Sequence, residues 1–367
     1  MRAVHQSRCG ATAATFVVLF SLVALLAPSG AAGVPLPAAR ASAPVSLWVR
    51  GTEGTGDGQF RGPVGIAVGT GGVYVADHGN NRVEVFTENG DFVKQIGEPG
   101  NEAGQFVSIR RLTVGSYGDL YVSEDNGRIQ KFPTESRVRL WGSSGSGDGQ
   151  FDQAYGIAVD PASGYIYVVD TNHNRVQKFD QWGEFKGKWG TRGTGDTQFN
   201  GPTGIALAEN RTFYVVDSGN GRIQEISEDG GMLREWGSEG TGNGEFLDPM
   251  GVATDSDGNV YVADTGNDRV QVFDRWGIFV TQWRVTGGDD VKERYVADVA
   301  VDAAGNVYVI DSLQNYVQKF APISLSTDGT PPTTEVRNAD AKWHNRPVKL
   351  TFVATDNAGG SGVDFTE

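Results

Sequence analysis

The chain is 367 residues long, 10% aromatic and 21% charged, with 31 Lys and Arg against 45 Asp and Glu, a formal net charge of −14. An acidic surface repels phosphate backbones and anionic lipid, so nucleic acid is not an expected partner. A single cysteine leaves no intramolecular disulfide framework, and stability has to come from buried apolar surface.

Residues 1–43 read as a signal peptide and leader. Arg2 and Arg8 precede an apolar stretch from Ala13 to Leu26, followed by Pro28, Ser29, Gly30 and an Ala-rich segment. Charged, then apolar, then small is the order of a secretory signal, and the apolar run is short for a membrane span. Cleavage after Ala32 and cleavage nearer Ala41 both fit, and Cys9 leaves with either. The leader holds Arg2, Arg8 and Arg40 and no acidic residue, so the mature balance is 28 basic against 45 acidic, about −17. The expected location is secreted or cell surface, with no membrane span in the mature chain.

From 45 to 321 the chain repeats itself. Tyr-Val-x-Asp, with Glu124 ending the second copy, returns at Tyr74, Tyr121, Tyr167, Tyr214, Tyr261 and Tyr308, at intervals of 47, 46, 47, 47 and 47 residues. The first copy runs Val64–Val68, Val73–Asp77, Asn81–Phe86 and Phe92–Gly97, four β-branched and aromatic runs separated by Gly, Asn and Asp. That is a four-stranded antiparallel meander, and four strands in about 45 residues make one propeller blade. The fold class expected is all-β, a six-bladed β-propeller.

The repeats are out of phase with the chain. Val45–Arg50 reads as an outermost strand with no blade ahead of it. The sixth unit supplies Asp298–Asp302, Asn306–Asp311 and Tyr316–Phe320 and then stops at Pro322. Pairing the first strand with the last three closes the ring and removes its exposed edges. After it, 322–334 is a linker stiffened by Pro331 and Pro332, and 335–367 carries the alternating Val348–Ala354, expected to be a strand, before a Gly-rich turn into another strand.

Gly56-Asp57-Gly58-Gln59-Phe60 through Phe86 resembles the NHL repeat, and Tyr155–Asp160, Tyr167–Asp170 and Asn174–Phe179 repeat the pattern closely in the third copy. The resemblance covers 45–321. It implies a six-bladed propeller used as a protein- or ligand-binding platform. Relatives include extracellular sensor domains of bacterial kinases, RNA- or protein-binding parts of eukaryotic proteins, and amidating lyases. The fold alone does not choose among them. The 335–367 tail resembles the opening of a bacterial surface Ig-like β-sandwich module, truncated before it could close.

Repetition also separates scaffold from site. Asp77 with Arg82, Asp170 with Arg175, Asp217 with Arg222 and Asp264 with Arg269 recur in phase, with Glu124 and Arg128 in the second copy, and read as charge-assisted ties between loops. Trp141, Trp189, Trp236 and Trp283 recur on the outer strand and read as inter-blade packing. Asp255-Ser256-Asp257-Gly258-Asn259 is a hairpin turn and not a calcium loop, since Val260 stands where an EF-hand needs Gly.

The beat breaks at the channel mouth. The residue before the innermost strand is Val64, Arg110, Tyr155, Thr203, Met250 or Ala297. Beside Arg110, Arg111 replaces the Gly of positions 65, 156, 204 and 251, and Asp298 replaces it in the sixth copy. The candidate ligand-binding residues are therefore Arg110, Arg111, Tyr155, Met250 and Asp298. Either the rim binds an anionic or polar group, or the Arg pair is neutralised by Asp298 or another rim carboxylate.

His78 and His173 occupy different repeat positions, and His344 lies in the tail. No catalytic, metal or cofactor residue is assigned. The expectation is a monomeric binding propeller for a protein, peptide or cell-wall component. The alternatives are a metal-dependent lyase acting in the channel and a ligand-sensing ectodomain.

Overall fold

A computed structural model describes residues 41–134, 137–208, 211–285 and 294–323, and the backbone of 333–337 and 351–355. The leader up to residue 40 and most of the tail lie outside the described residues.

Six four-stranded antiparallel sheets follow one another along the chain. The first consists of Pro63–Gly69, Gly72–Asp77, Arg82–Phe86 and Phe92–Ile96, in that order from the inside outward. The next four repeat this arrangement between Ile109 and Arg284. The sixth blade takes Val296–Val301, Val307–Asp311 and Tyr316–Phe320 from the end of the ring and Ser46–Arg50 from its beginning. Trp48 pairs with Lys319, Val49 with Gln318 and Arg50 with Val317. The expected closure is present.

Burial explains the sequence pattern strand by strand. Each second strand is packed on both faces by neighbouring blades, so Val73–Asp77 and Leu120–Glu124 are buried throughout and read as continuous runs. Outer strands keep one face in solvent, and Phe185–Trp189 alternates half-buried with exposed. The core is divided among the blade junctions. Between the sixth and first blades, for instance, Tyr308 and Ile310 pack against Val73, Val75 and Phe86. The outer-strand tryptophans sit at these junctions. A Cβ at Gly183 (φ +87°) would lie 2.7 Å from the Trp141 ring and one at Gly277 (φ +79°) 2.8 Å from that of Trp236, so the turn of one blade must be glycine to seat the indole of the blade before.

The Asp/Arg pairs tie the loops to the blades. Asp77 Oδ2 meets Arg82 Nε at 2.9 Å, while Oδ1 accepts the Arg61 N–H at 2.7 Å. Arg82 Nη2 donates to the Gly56 and Gln59 carbonyls at 2.9 and 2.7 Å, clasping the loop that enters the blade. The same ion pair stands at 2.7 Å for Arg175–Asp170, 2.8 Å for Arg222–Asp217, 2.6 Å for Arg269–Asp264 and 2.8 Å for Arg128–Glu124. In the sixth blade Tyr316 replaces the arginine. Arg294, from the chain entering that blade, donates Nη1 to the Tyr316 hydroxyl at 2.6 Å and lies 3.7 Å from Asp311 Oδ2.

In the tail, Thr333–Arg337 pairs antiparallel with Thr351–Thr355. The later strand falls on the expected Val348–Ala354 segment, of which 348–350 lie outside the described residues, and its partner begins inside the stretch read as linker. Among the described residues no helix is long and apolar enough to cross a membrane.

Candidate binding mouth of the central channel

The inner strands turn one backbone edge toward the axis and enclose a channel cavity of about 210 Å³. At one layer of this channel stand Gly65, Arg111, Gly156, Gly204, Gly251 and Asp298. The glycines are dictated by crowding. A Cβ at Gly65 would lie 2.7 Å from the Arg110 carbonyl and one at Gly204 2.5 Å from that of Met250, and one at Gly251 would collide with Asp298.

The two exceptions reach each other. Arg111 and Asp298 are 4% and 6% exposed, with Nε and Oδ2 3.6 Å apart. Arg111 Nη2 donates to the Ala297 carbonyl at 2.8 Å, and Asp298 Oδ2 accepts the Ile66 N–H at 3.0 Å. Burial pushes the Asp298 carboxyl up, against the pull of Arg111 and the Ile66 N–H. A second-blade side chain thus meets a sixth-blade side chain across the first blade. Ser123, also peculiar to the second blade, supports the arrangement by receiving the Arg111 N–H at 3.1 Å and donating to the Tyr155 carbonyl at 2.5 Å.

Arg110 lies nearer solvent. Its Nε pairs with Asp125 Oδ1 at 2.6 Å, with the two side chains 23% and 27% exposed. Both guanidiniums face Tyr155, with Cζ 5.5 Å (Arg110) and 4.8 Å (Arg111) from its ring centroid. Met250 joins the group through Tyr295, whose hydroxyl donates to its Sδ at 2.9 Å. Beside them is a cavity of about 590 Å³ lined by Thr203, Asp248, Met250, Asp268, Tyr295 and Leu313.

All five residues singled out from the sequence therefore gather at this end of the channel, with Arg111 and Asp298 buried in the lumen. Of the other rim positions, Val64 is half-buried, and Thr203 and Ala297 are buried. Tyr295 was not foreseen. It is 38% exposed, and burial pushes its hydroxyl up, reinforced by Tyr155 and Asp248 and opposed by Arg111 and Arg110. Its counterparts are Gly62, Ser108, Gln153, Gly201 and Asp248, whose φ angles run from 44° to 68°. Tyr295 does not adopt that left-handed conformation, which frees the position for a bulky ring. The signal was a Tyr two residues ahead of the rim positions compared.

Each described histidine has a local partner. His78 Nδ1 donates to the Ile109 carbonyl at 2.8 Å, and His173 Nδ1 lies 3.0 Å from Asp170 Oδ1. Among the described residues no three His, Cys, Asp or Glu side chains are grouped to hold a metal ion.

The family pattern described as NHL repeat matches residues 60–86, 151–179, 199–226 and 246–273. The chain carries four NHL repeats. They fall in the first, third, fourth and fifth blades, and the two blades outside the match are those that contribute Arg111 and Asp298. Human NHL repeat-containing protein 3 is 31% identical over 131 residues, covering 31% of this chain and 37% of its own length. The Drosophila melanogaster protein brain tumor is 32% identical over 140 residues, 36% of this chain and 13% of its own length. The chain thus matches well under half the length of these curated relatives.

Among solved structures, a streptogramin B lyase superposes with TM-score 0.54 at 16% identity, covering 76% of this chain and 98% of that one. A gluconolactonase from Xanthomonas campestris gives TM-score 0.55 at 17% identity over 73% of this chain and 88% of its own. Identities this low speak for the shared fold alone.

Proposed function

We propose that the chain is an exported binding propeller, secreted or held at a bacterial cell surface, that grips a protein or peptide partner at the mouth formed by Tyr155, Met250 and Tyr295. The observation that carries this is Tyr295, with Met250, lining an open cavity of about 590 Å³, in the same cluster as the buried Tyr155. Aromatic and methionine side chains are enriched where proteins meet, because they bury large area at small entropic cost. NHL repeats generally mediate protein interactions, and four are present.

The charges favour a particular division of labour. Arg111 is held by Asp298 and the Ala297 carbonyl, so it serves as the floor of the mouth. Arg110 keeps part of its guanidinium at the surface and offers its remaining donors to a carbonyl or carboxylate of the partner. Export rests on the order of Arg2, Arg8, the Ala13–Leu26 stretch and Pro28, and surface attachment on the Ig-like character of the tail.

Panning a random peptide library against the full chain tests the reading. Selected peptides are expected to lose about tenfold or more in affinity for the Tyr155→Ala and Tyr295→Ala variants, the cost of a buried aromatic anchor. Peptides that bind both variants like the parent would place the interface elsewhere.

A further inference from the structure

The opposite face of the ring, made by the turns between first and second and between third and fourth strands, carries a different feature. Between the fourth and fifth blades a groove of about 340 Å³ is lined by Glu225, Leu233, Arg234, Asp255, Arg275 and Trp276. Trp276 is 60% exposed, at the tip of the turn Asp274-Arg275-Trp276-Gly277. Equivalent tips carry Asn89 in the first blade and Asp229 in the fourth, so the scaffold does not require an indole there. The turn is nevertheless built firmly. Asp274 Oδ1 accepts the N–H groups of Trp276 and Ile278 at 3.0 and 2.9 Å.

Glu225 is the second departure. Its place is taken by Val85, Lys131, Lys178, Val272 and Lys319 in the other blades. It is 9% exposed, and its Oε1 accepts from Thr212 Oγ1 at 3.1 Å. Its Oε2 is ion-paired with Arg234 Nε at 2.9 Å, and both side chains line the groove. Arg234 Nη1 donates to the Arg275 carbonyl at 2.8 Å, and Arg275 Nη2 to that of Asp257 at 2.6 Å, so both guanidiniums are fixed in place.

We propose that this groove binds a neutral glycan, one pyranose ring lying against Trp276 with its hydroxyls meeting Glu225 and Arg234. A sugar ring offers an apolar C–H face and a rim of hydroxyls that both donate and accept, which matches an exposed indole beside a carboxylate and a guanidinium. The charges of the groove cancel, Glu225 and Asp255 against Arg234 and Arg275, so neither an anionic nor a cationic ligand is favoured. The strongly acidic chain further disfavours anionic polymers. The site is distinct from the mouth and does not depend on what the mouth binds.

Trp182 provides an internal control. It has the same turn and the same 60% exposure two blades earlier. Lys131, not a glutamate, stands where that junction would need its Glu225, and it is paired with Asp119 at 2.8 Å.

The test titrates the full chain with neutral linear hexasaccharides of β-1,4-linked glucose, N-acetylglucosamine and mannose, by calorimetry and by tryptophan fluorescence. At least one is expected to bind. Trp276→Ala and Glu225→Gln should each weaken it by about tenfold or more, while Trp182→Ala and Tyr295→Ala stay within about threefold of the parent. Unchanged melting temperatures show that the variants are folded. Binding of none of the three sugars, binding unaltered by Trp276→Ala, or loss confined to Trp182→Ala would overturn the proposal.

Discussion

Glu84 occupies a position that is Gln130, Gln177, Gln224, Gln271 and Gln318 in the other blades. In the third blade Gln177 accepts the Gly149 N–H at 2.9 Å and donates Nε2 to the Gln150 carbonyl at 2.7 Å. Glu84 keeps the accepting half, receiving the Gly58 N–H at 3.1 Å, but in place of the donating half its buried Oε1 lies 2.8 Å from Arg82 Nη2. Burial pushes its carboxyl up to about 7, with Arg82 pulling down and Asp77 and Asp57 adding to the rise. Because the folded state holds this proton more tightly than the unfolded chain, its contribution to stability is full below the unfolded value of 4.5 and is lost as pH rises through about 7. Glu84→Gln should therefore match the parent at acidic pH and exceed it above neutrality, by on the order of 2 kcal/mol. Thermal melts of both proteins across this range check it, and a gap that did not widen with pH would contradict it. This substitution was visible in the sequence, but its consequence needed the sealed environment that only packed blades create.

Among elements, the closing strand Ser46–Arg50 has the clearest role. Its residues are mostly exposed, so it contributes little core, yet it covers the third strand of the sixth blade and seats Trp48 against Tyr308 at 5.9 Å between ring centroids. Deleting 45–51 should expose an edge and lower the melting temperature by about 10 °C or more, since each kcal/mol moves the midpoint by ~2–4 °C at this size. Moving the same seven residues to follow residue 323 should restore most of the loss, because the strand would then join its sheet from the other end of the chain. A deletion that melted with the parent, or a graft that restored nothing, would refute closure as the source of stability. The strand was legible from phase alone: an outer strand ending in Gly51, nine residues before Phe60, with no blade ahead of it.

Across the whole molecule, a formal charge of −14 opposes compaction, while the ties that hold the blades are buried, with Asp77, Asp170, Asp217 and Asp264 fully inaccessible. Raising NaCl from about 0.02 to about 0.3 M should therefore raise the melting temperature by a few degrees, as surface repulsion is screened and the buried pairs are spared. A fall on adding salt, read by scanning calorimetry, would mean that exposed pairs such as Lys188–Asp148 carry more of the stability than their setting suggests.

The 47-residue period determined the six blades, their strand order and the Asp/Arg ties, because each unit obeys the same local rules of alternation, turn chemistry and packing. Tertiary structure alone decided that Arg111 turns inward to Asp298, that Tyr295 joins Tyr155 and Met250, and that Trp276 meets Glu225 across a blade junction. Those partners are far apart in the chain or belong to different copies, and ring geometry, not spacing within a repeat, brings them together.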